Sequence, residues 1–202
     1  MVRRVLLAGS GLVLMAFLVA HLIGVGLAPV APLQFERYAS ALHASWWLPL
    51  VEGLLLVAAI THASLSLSKA VNNWKAGNHA RLNSRRNDPL GSWSARLQPV
   101  GGITLLLFLG VHLQQLRLPR PAAGFELVEL SASLHAPFTL VLYALACLAL
   151  SLHIVQGGES AQRSLGLLNP QNAEAIRRTA RATGLLLGLG FAGSAGWLAL
   201  LD

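Results

Sequence analysis

Four histidines, His21, His62, His112 and His153, each stand inside a long apolar run. Imidazole in such surroundings has three ordinary uses: it packs as a satisfied side chain, relays a proton, or ligates a metal through a neutral ring nitrogen. Spacing narrows the choice. Residues 11–22 read GLVLMAFLVAHL and residues 102–113 read GITLLLFLGVHL, which sets Gly11/Gly102, Phe17/Phe108 and His21/His112 in register at an offset of 91 residues. The same offset carries His62 onto His153. Even the turns before the second element of each half look alike, Leu42-His43-Ala44 against Leu134-His135-Ala136, one residue out of register. Two repeated helix pairs, with one histidine on each helix, are the expected scaffold.

The elements that must position them are transmembrane. Of 202 residues, 54% are hydrophobic and only 11% charged, about half the charge of a soluble domain. Mean hydropathy is +0.59. Five runs are long enough to cross a hydrocarbon core: about 5–27, 47–70, 99–117, 136–156 and 181–201. The chain is therefore expected to be all-α, a single domain over residues 1–202 built as an integral membrane bundle of five helices, two repeated pairs plus a fifth. The first run follows MVRR without a small-residue cleavage site, which fits a retained helix better than a removed signal peptide.

Lysine and arginine orient the bundle. Arg3 and Arg4, then Lys69, Lys75, Arg81, Arg85, Arg86 and Arg96, then Arg163, Arg177, Arg178 and Arg181 share one side and make 12 of the 15 cations. Arg37, Arg117 and Arg120 are on the other. That predicts a multi-pass protein of the cell's inner membrane, with a cytoplasmic N-terminus and Asp202 outside. The net charge of +7 flanks membrane spans, so anionic lipid or a soluble partner is expected to meet it, and no nucleic acid.

With that topology, depth can be read from helix rise. His21 and His112 come about 24 and 20 Å up from the inner face, whereas His62 and His153 run down to near it. Depth thus pairs His21 with His112 in the outer half and His62 with His153 in the inner half. Two neutral imidazoles facing each other at one level between apolar walls suit the axial positions of a haem, and two such pairs predict two b haems. Gly11, Gly24, Gly101, Gly102 and Gly110 would give a flat macrocycle room or serve helix packing. A bare metal fits poorly, since no carboxylate or thiolate completes either pair. Without a C-x-x-C-H, covalent c-type attachment is excluded, and Cys147 alone makes no disulfide.

The remaining ionisable residues leave more open. His43 and His135 begin the second and fourth helices at the outer face, either as surface histidines or beside haem propionates or a quinone. His79 falls in the polar inner loop, facing solvent or a partner. Glu52, two turns into the second helix, is a candidate for proton handling near the outer pair, the alternative being a carboxyl kept neutral by desolvation. Gly184, Gly188, Ala192 and Gly196 form a small-residue stripe on the fifth helix, suited to close packing. Histidines that relay protons without haem, in a transporter or structural anchor, would need neither the depth pairing nor the repeat.

One histidine on each of four helices, the twin G-x5-F-x3-H-L motifs, and the run Leu152-His153-Ile154-Val155-Gln156-Gly157 followed by Ser160-Ala161-Gln162-Arg163-Ser164-Leu165-Gly166 resemble the dihaem cytochrome b subunit of succinate dehydrogenase and fumarate reductase. The resemblance covers nearly the whole chain. Where Gln156 stands, that family commonly has a second histidine. The resemblance implies a membrane anchor for an iron–sulfur subunit and a flavoprotein on the inner face, exchanging electrons with menaquinone or another quinone as the quinone-reactive part of a respiratory enzyme. Succinate chemistry would belong to the flavoprotein. The inner loops 70–98 and 157–180 would dock the iron–sulfur subunit through Arg81, Arg85, Arg86, Arg96 and Arg163, and Glu52 with His43 would handle protons at an outer quinone site. The alternative keeps the haems and changes the partner, as in the dihaem cytochromes of hydrogenases or formate dehydrogenases.

Overall fold

The computed structural model describes residues 1–77, 87–118 and 121–201. Among these every regular element is helical. Four long helices make a four-cornered bundle: α1 (Val2–Val25), α4 (Leu48–Lys75), α5 (Pro89–His112) and α7 (Pro137–Ser164). Neighbouring corners pack in the order α4, α1, α7, α5, while α4 and α5 meet only sparsely. So α1 faces α5, and α4 faces α7, across the diagonals of the bundle. A fifth long helix, α8 (Ala173–Leu198), runs beside α7 in the most extensive helix pairing among the described residues.

Four of these spans, Val2–Val30, Leu48–Lys75, Pro89–Arg117 and Pro137–Ser164, are long and apolar enough to cross a membrane. α8 has the length, with 26 residues. Its first turns carry Glu174, Arg177, Arg178 and Arg181, and glycines dilute its apolar part, so it is not among the four by length and composition. The glycines act in packing. A Cβ at Gly188 would overlap Ser151 Oγ, and one at Gly184 would stand 2.7 Å from the Ser151 carbonyl oxygen. Ser151 Oγ donates to the Gly184 carbonyl at 2.9 Å, a bond that needs this closeness.

The helices outrun the apolar segments. α5 begins at Pro89 rather than 99, because Asp88 accepts the Gly91 N–H at 3.0 Å and Pro89 fits the first turn. Pro99 is taken inside that helix. α7 continues through Ser164, since Gly158 lets Ala180 of α8 approach and the pair keeps both helices aligned past the apolar run. The polar connections shrink accordingly, and His79, Arg81, Arg85, Arg86, Arg120 and Asp202 lie outside the described residues.

At the end away from Met1, short helices stand between the spans. α2 (Leu27–Val30) and α3 (Pro32–His43) follow α1, and α6 (Glu126–Leu134) precedes α7. Phe35, Leu134, Tyr143 and Leu198 bury together beneath them. Glu36 ties α3 to α6 by accepting the N–H groups of Leu127 at 2.8 Å and Glu126 at 3.2 Å. Those amides belong to the first turn of α6, where helix donors lack partners of their own.

Candidate functional site: two histidine pairs

The diagonals of the bundle hold the four histidines. His21 of α1 and His112 of α5 have ring centroids 6.1 Å apart with planes at 78°. His62 of α4 and His153 of α7 are also 6.1 Å apart, at 65°. Each pair therefore takes one ring from each half of the repeat. The structure does not bring His43 or His135 into either pair.

The repeated motif explains how the rings are seated. Gly11 lies against the His62 ring, where a Cβ would stand 3.0 Å from Cε1, and Gly102 lies against His153, where it would stand 3.6 Å away. Ten residues past each glycine comes the helix's own histidine, about 15 Å further along the axis. Phe17 stacks on His21 and Phe108 on His112, both at 5.3 Å, as i and i+4 neighbours do on one helix face. Glycine, phenylalanine and histidine thus serve two levels: room for the partner's ring at one, a supported ring at the other. Phe191 of α8 closes on His21 at 5.7 Å.

The ring nitrogens have distinct partners. His62 Nδ1 is 3.3 Å from the Leu7 carbonyl oxygen and 3.5 Å from Ser10 Oγ. His112 Nδ1 is 2.9 Å from the hydroxyl of Tyr143, a buried residue whose ring meets Phe108 edge-on at 4.8 Å. His153 Nδ1 is buried with no partner among the described residues, as are Gln98 Oε1, Gln115 Oε1 and Gln156 Oε1. Gln98 Nε2 reaches the His153 carbonyl at 3.4 Å and Gln156 Nε2 reaches Ser160 Oγ at 3.1 Å.

These pairs fit a haem iron better than a bare ion. Ring centroids 6.1 Å apart leave space for one metal between the two imidazoles of each pair. A macrocycle supplies four donors of its own and needs only two from the protein. Among the described residues no three His, Cys, Asp or Glu side chains converge as a metal group.

Other candidate residues are placed differently from one another. Glu52, on α4, is gripped by Arg117, whose Nε and Nη2 donate to its two carboxylate oxygens, both at 2.6 Å. Arg117 reaches it because the chain after His112 widens into a π-turn, Leu113–Arg117, closed by the Leu118 N–H on the Leu113 carbonyl at 2.8 Å. His43 lies 3.5 Å from the carboxylate of Glu126, which also accepts from Ser40 Oγ and the Gly124 N–H. At the Met1 end, Arg163 pairs with the buried Glu159, and Arg181 with Asp88, both at 2.6 Å. Arg96 is exposed on α5.

Sequence reasoning missed Tyr143, the grip of Arg117 on Glu52 and the Glu36–Glu126 contact. Tyr143 had one signal: the 91-residue offset that relates the histidines also relates it to Glu52. No family model matches the sequence, and no curated protein or solved structure matches the chain.

Proposed function

We propose that this chain is the membrane-anchor cytochrome b subunit of a succinate:quinone oxidoreductase. His21 with His112, and His62 with His153, would hold two b haems. The observation that carries the haem assignment is the pair of equal 6.1 Å histidine separations on the two diagonals. Bound haem supplies reversible one-electron storage. What the chain's residues contribute is position. Gly11 leaves room for the His62 ring and Gly102 for the His153 ring, Phe17 and Phe108 support the other two rings, and the Leu7 carbonyl and Tyr143 hydroxyl would accept Nδ1 protons and leave Nε2 free to ligate.

The choice of succinate or fumarate as the partner chemistry rests on the sequence resemblance. In this reading α8 is a fifth span; its exposed Leu185, Leu186 and Leu189 suit lipid contact. The Met1 end, with Arg3, Arg4, Lys69, Lys75, Arg96, Arg163, Arg177, Arg178 and Arg181, faces the cytoplasm and receives an iron–sulfur subunit bound to a flavoprotein. Menaquinone or another quinone is met at the opposite end, beside His21 and His112. Glu52 handles protons there, with Arg117 holding its charge, and His43 exchanges protons at the surface alongside Glu126.

Purification of the chain with its partners from its own membrane tests this directly. Two haems per chain by pyridine haemochromogen, with a flavoprotein and an iron–sulfur protein identified by mass spectrometry, are expected. Hydrogenase or formate dehydrogenase subunits in their place would move the chain to another oxidoreductase. Absence of haem would end the cytochrome assignment.

A further inference from the structure

Resting on the haem reading, we propose that Tyr143 is a positioning residue that acts through His112 and sets the redox potential of the haem held by His21 and His112. A histidine that ligates through Nε2 keeps its proton on Nδ1, and the acceptor of that proton fixes the tautomer, orients the ring and raises its electron donation. His112 Nδ1 lies 2.9 Å from Tyr143 Oη, so in the ligating form the ring N–H donates and the phenol oxygen accepts. The phenol is held for this. Tyr143 is 8% exposed, its ring is braced against Phe108 at 4.8 Å, and Phe108 in turn stacks on His112.

The other ligands differ. His62 Nδ1 faces a main-chain carbonyl, which no side-chain substitution removes, and His153 Nδ1 finds no acceptor among the described residues. Nor does the repeat duplicate the phenol. The position related to Tyr143 by the 91-residue offset is Glu52, whose carboxylate is engaged with Arg117. Tyr143 therefore makes the two haem sites electronically unequal.

Removing the acceptor should weaken His112 as an electron donor and favour the ferrous state. In membranes carrying the assembled complex, Tyr143→Phe should shift the ferric–ferrous equilibrium of the His21/His112 haem by about tenfold, the size of effect that losing a ligand's hydrogen-bond partner has on metal affinity. For one electron that is a rise of about 59 mV in midpoint potential. The His62/His153 haem should not move. Two haems with both potentials unchanged would overturn the assignment while leaving the cytochrome reading intact; no haem in the unaltered chain would defeat the cytochrome reading itself. Should Tyr143→Phe shed the His21/His112 haem, Tyr143→Gln decides, because it keeps an oxygen acceptor. Retention with a potential near that of the unaltered chain supports the hydrogen bond. Loss in both variants shows that the phenol only fills space, and overturns the proposal.

Discussion

The ring of His62 is bounded on one side by a missing side chain, since a Cβ on Gly11 would stand 3.0 Å from its Cε1. Gly11→Val should therefore push that imidazole off its diagonal and selectively remove the haem proposed for it and His153, read as loss of one of two spectral components in redox titration. Gly102→Ala, with 3.6 Å to His153, should keep both. The same titration checks the pairing. His21→Ala and His112→Ala should erase one component, and His62→Ala and His153→Ala the other; a component shared between His21→Ala and His153→Ala would break the assignment. Glu52→Gln gives up the charge that Arg117 clasps. It should slow quinone-linked turnover severalfold while haem content and dye-linked flavoprotein activity stay normal. Unchanged quinone turnover would move the quinone site to the Met1 end.

At the scale of elements, α7 and α8 are joined through their glycines, so Gly188→Ala, which sets a methyl on Ser151, should cost about 1–3 kcal/mol and lower the thermal midpoint followed by circular dichroism. The α3–α6 clasp should respond to pH. Burial first, then its hydrogen bond with Glu126, pushes Glu36 above 4.5 against the Leu127 N–H. Burial also opposes charge on Glu126, but hydrogen bonds from Glu36, the Gly124 N–H and Ser40 outweigh it and hold that carboxyl below 4.5. Stabilisation from Glu36 is complete below its unfolded value and is lost as pH rises through its raised folded value. Stabilisation from Glu126 is present above its unfolded value and is lost as pH falls through its lowered one. The clasp is tightest between, with one proton on Glu36. Exchange of the Leu127 amide, corrected for its intrinsic pH dependence, should be slowest in that window, and Glu36→Gln should abolish the alkaline loss. These short helices were illegible in the sequence because α3 has too few apolar residues to stand out beside the spans. The long helices were legible because their apolar runs and 91-residue period are strong signals, though their ends were not: Asp88, and the close approach of Gly158 to Ala180, extend helices through polar sequence.

For the molecule as a whole, helix rise read with the Lys/Arg topology sets His21 level with His112 and His62 level with His153, and the rings of each pair lie 6.1 Å apart. What counting could not supply was lateral order, since the diagonal placement of α1 against α5 and α4 against α7 comes from which helix faces pack. That diagonal placement has a consequence for biogenesis. Each pair draws one ring from residues 1–77 and one from residues 87–164, so a nascent chain halted after α4 owns half of both pairs and the whole of neither. If the pairs hold haem as proposed, cofactor loading would report completed synthesis and would rivet two hairpins that touch little between α4 and α5. Co-expressed as separate polypeptides, the halves should each remain colourless and gain the haem spectrum only together.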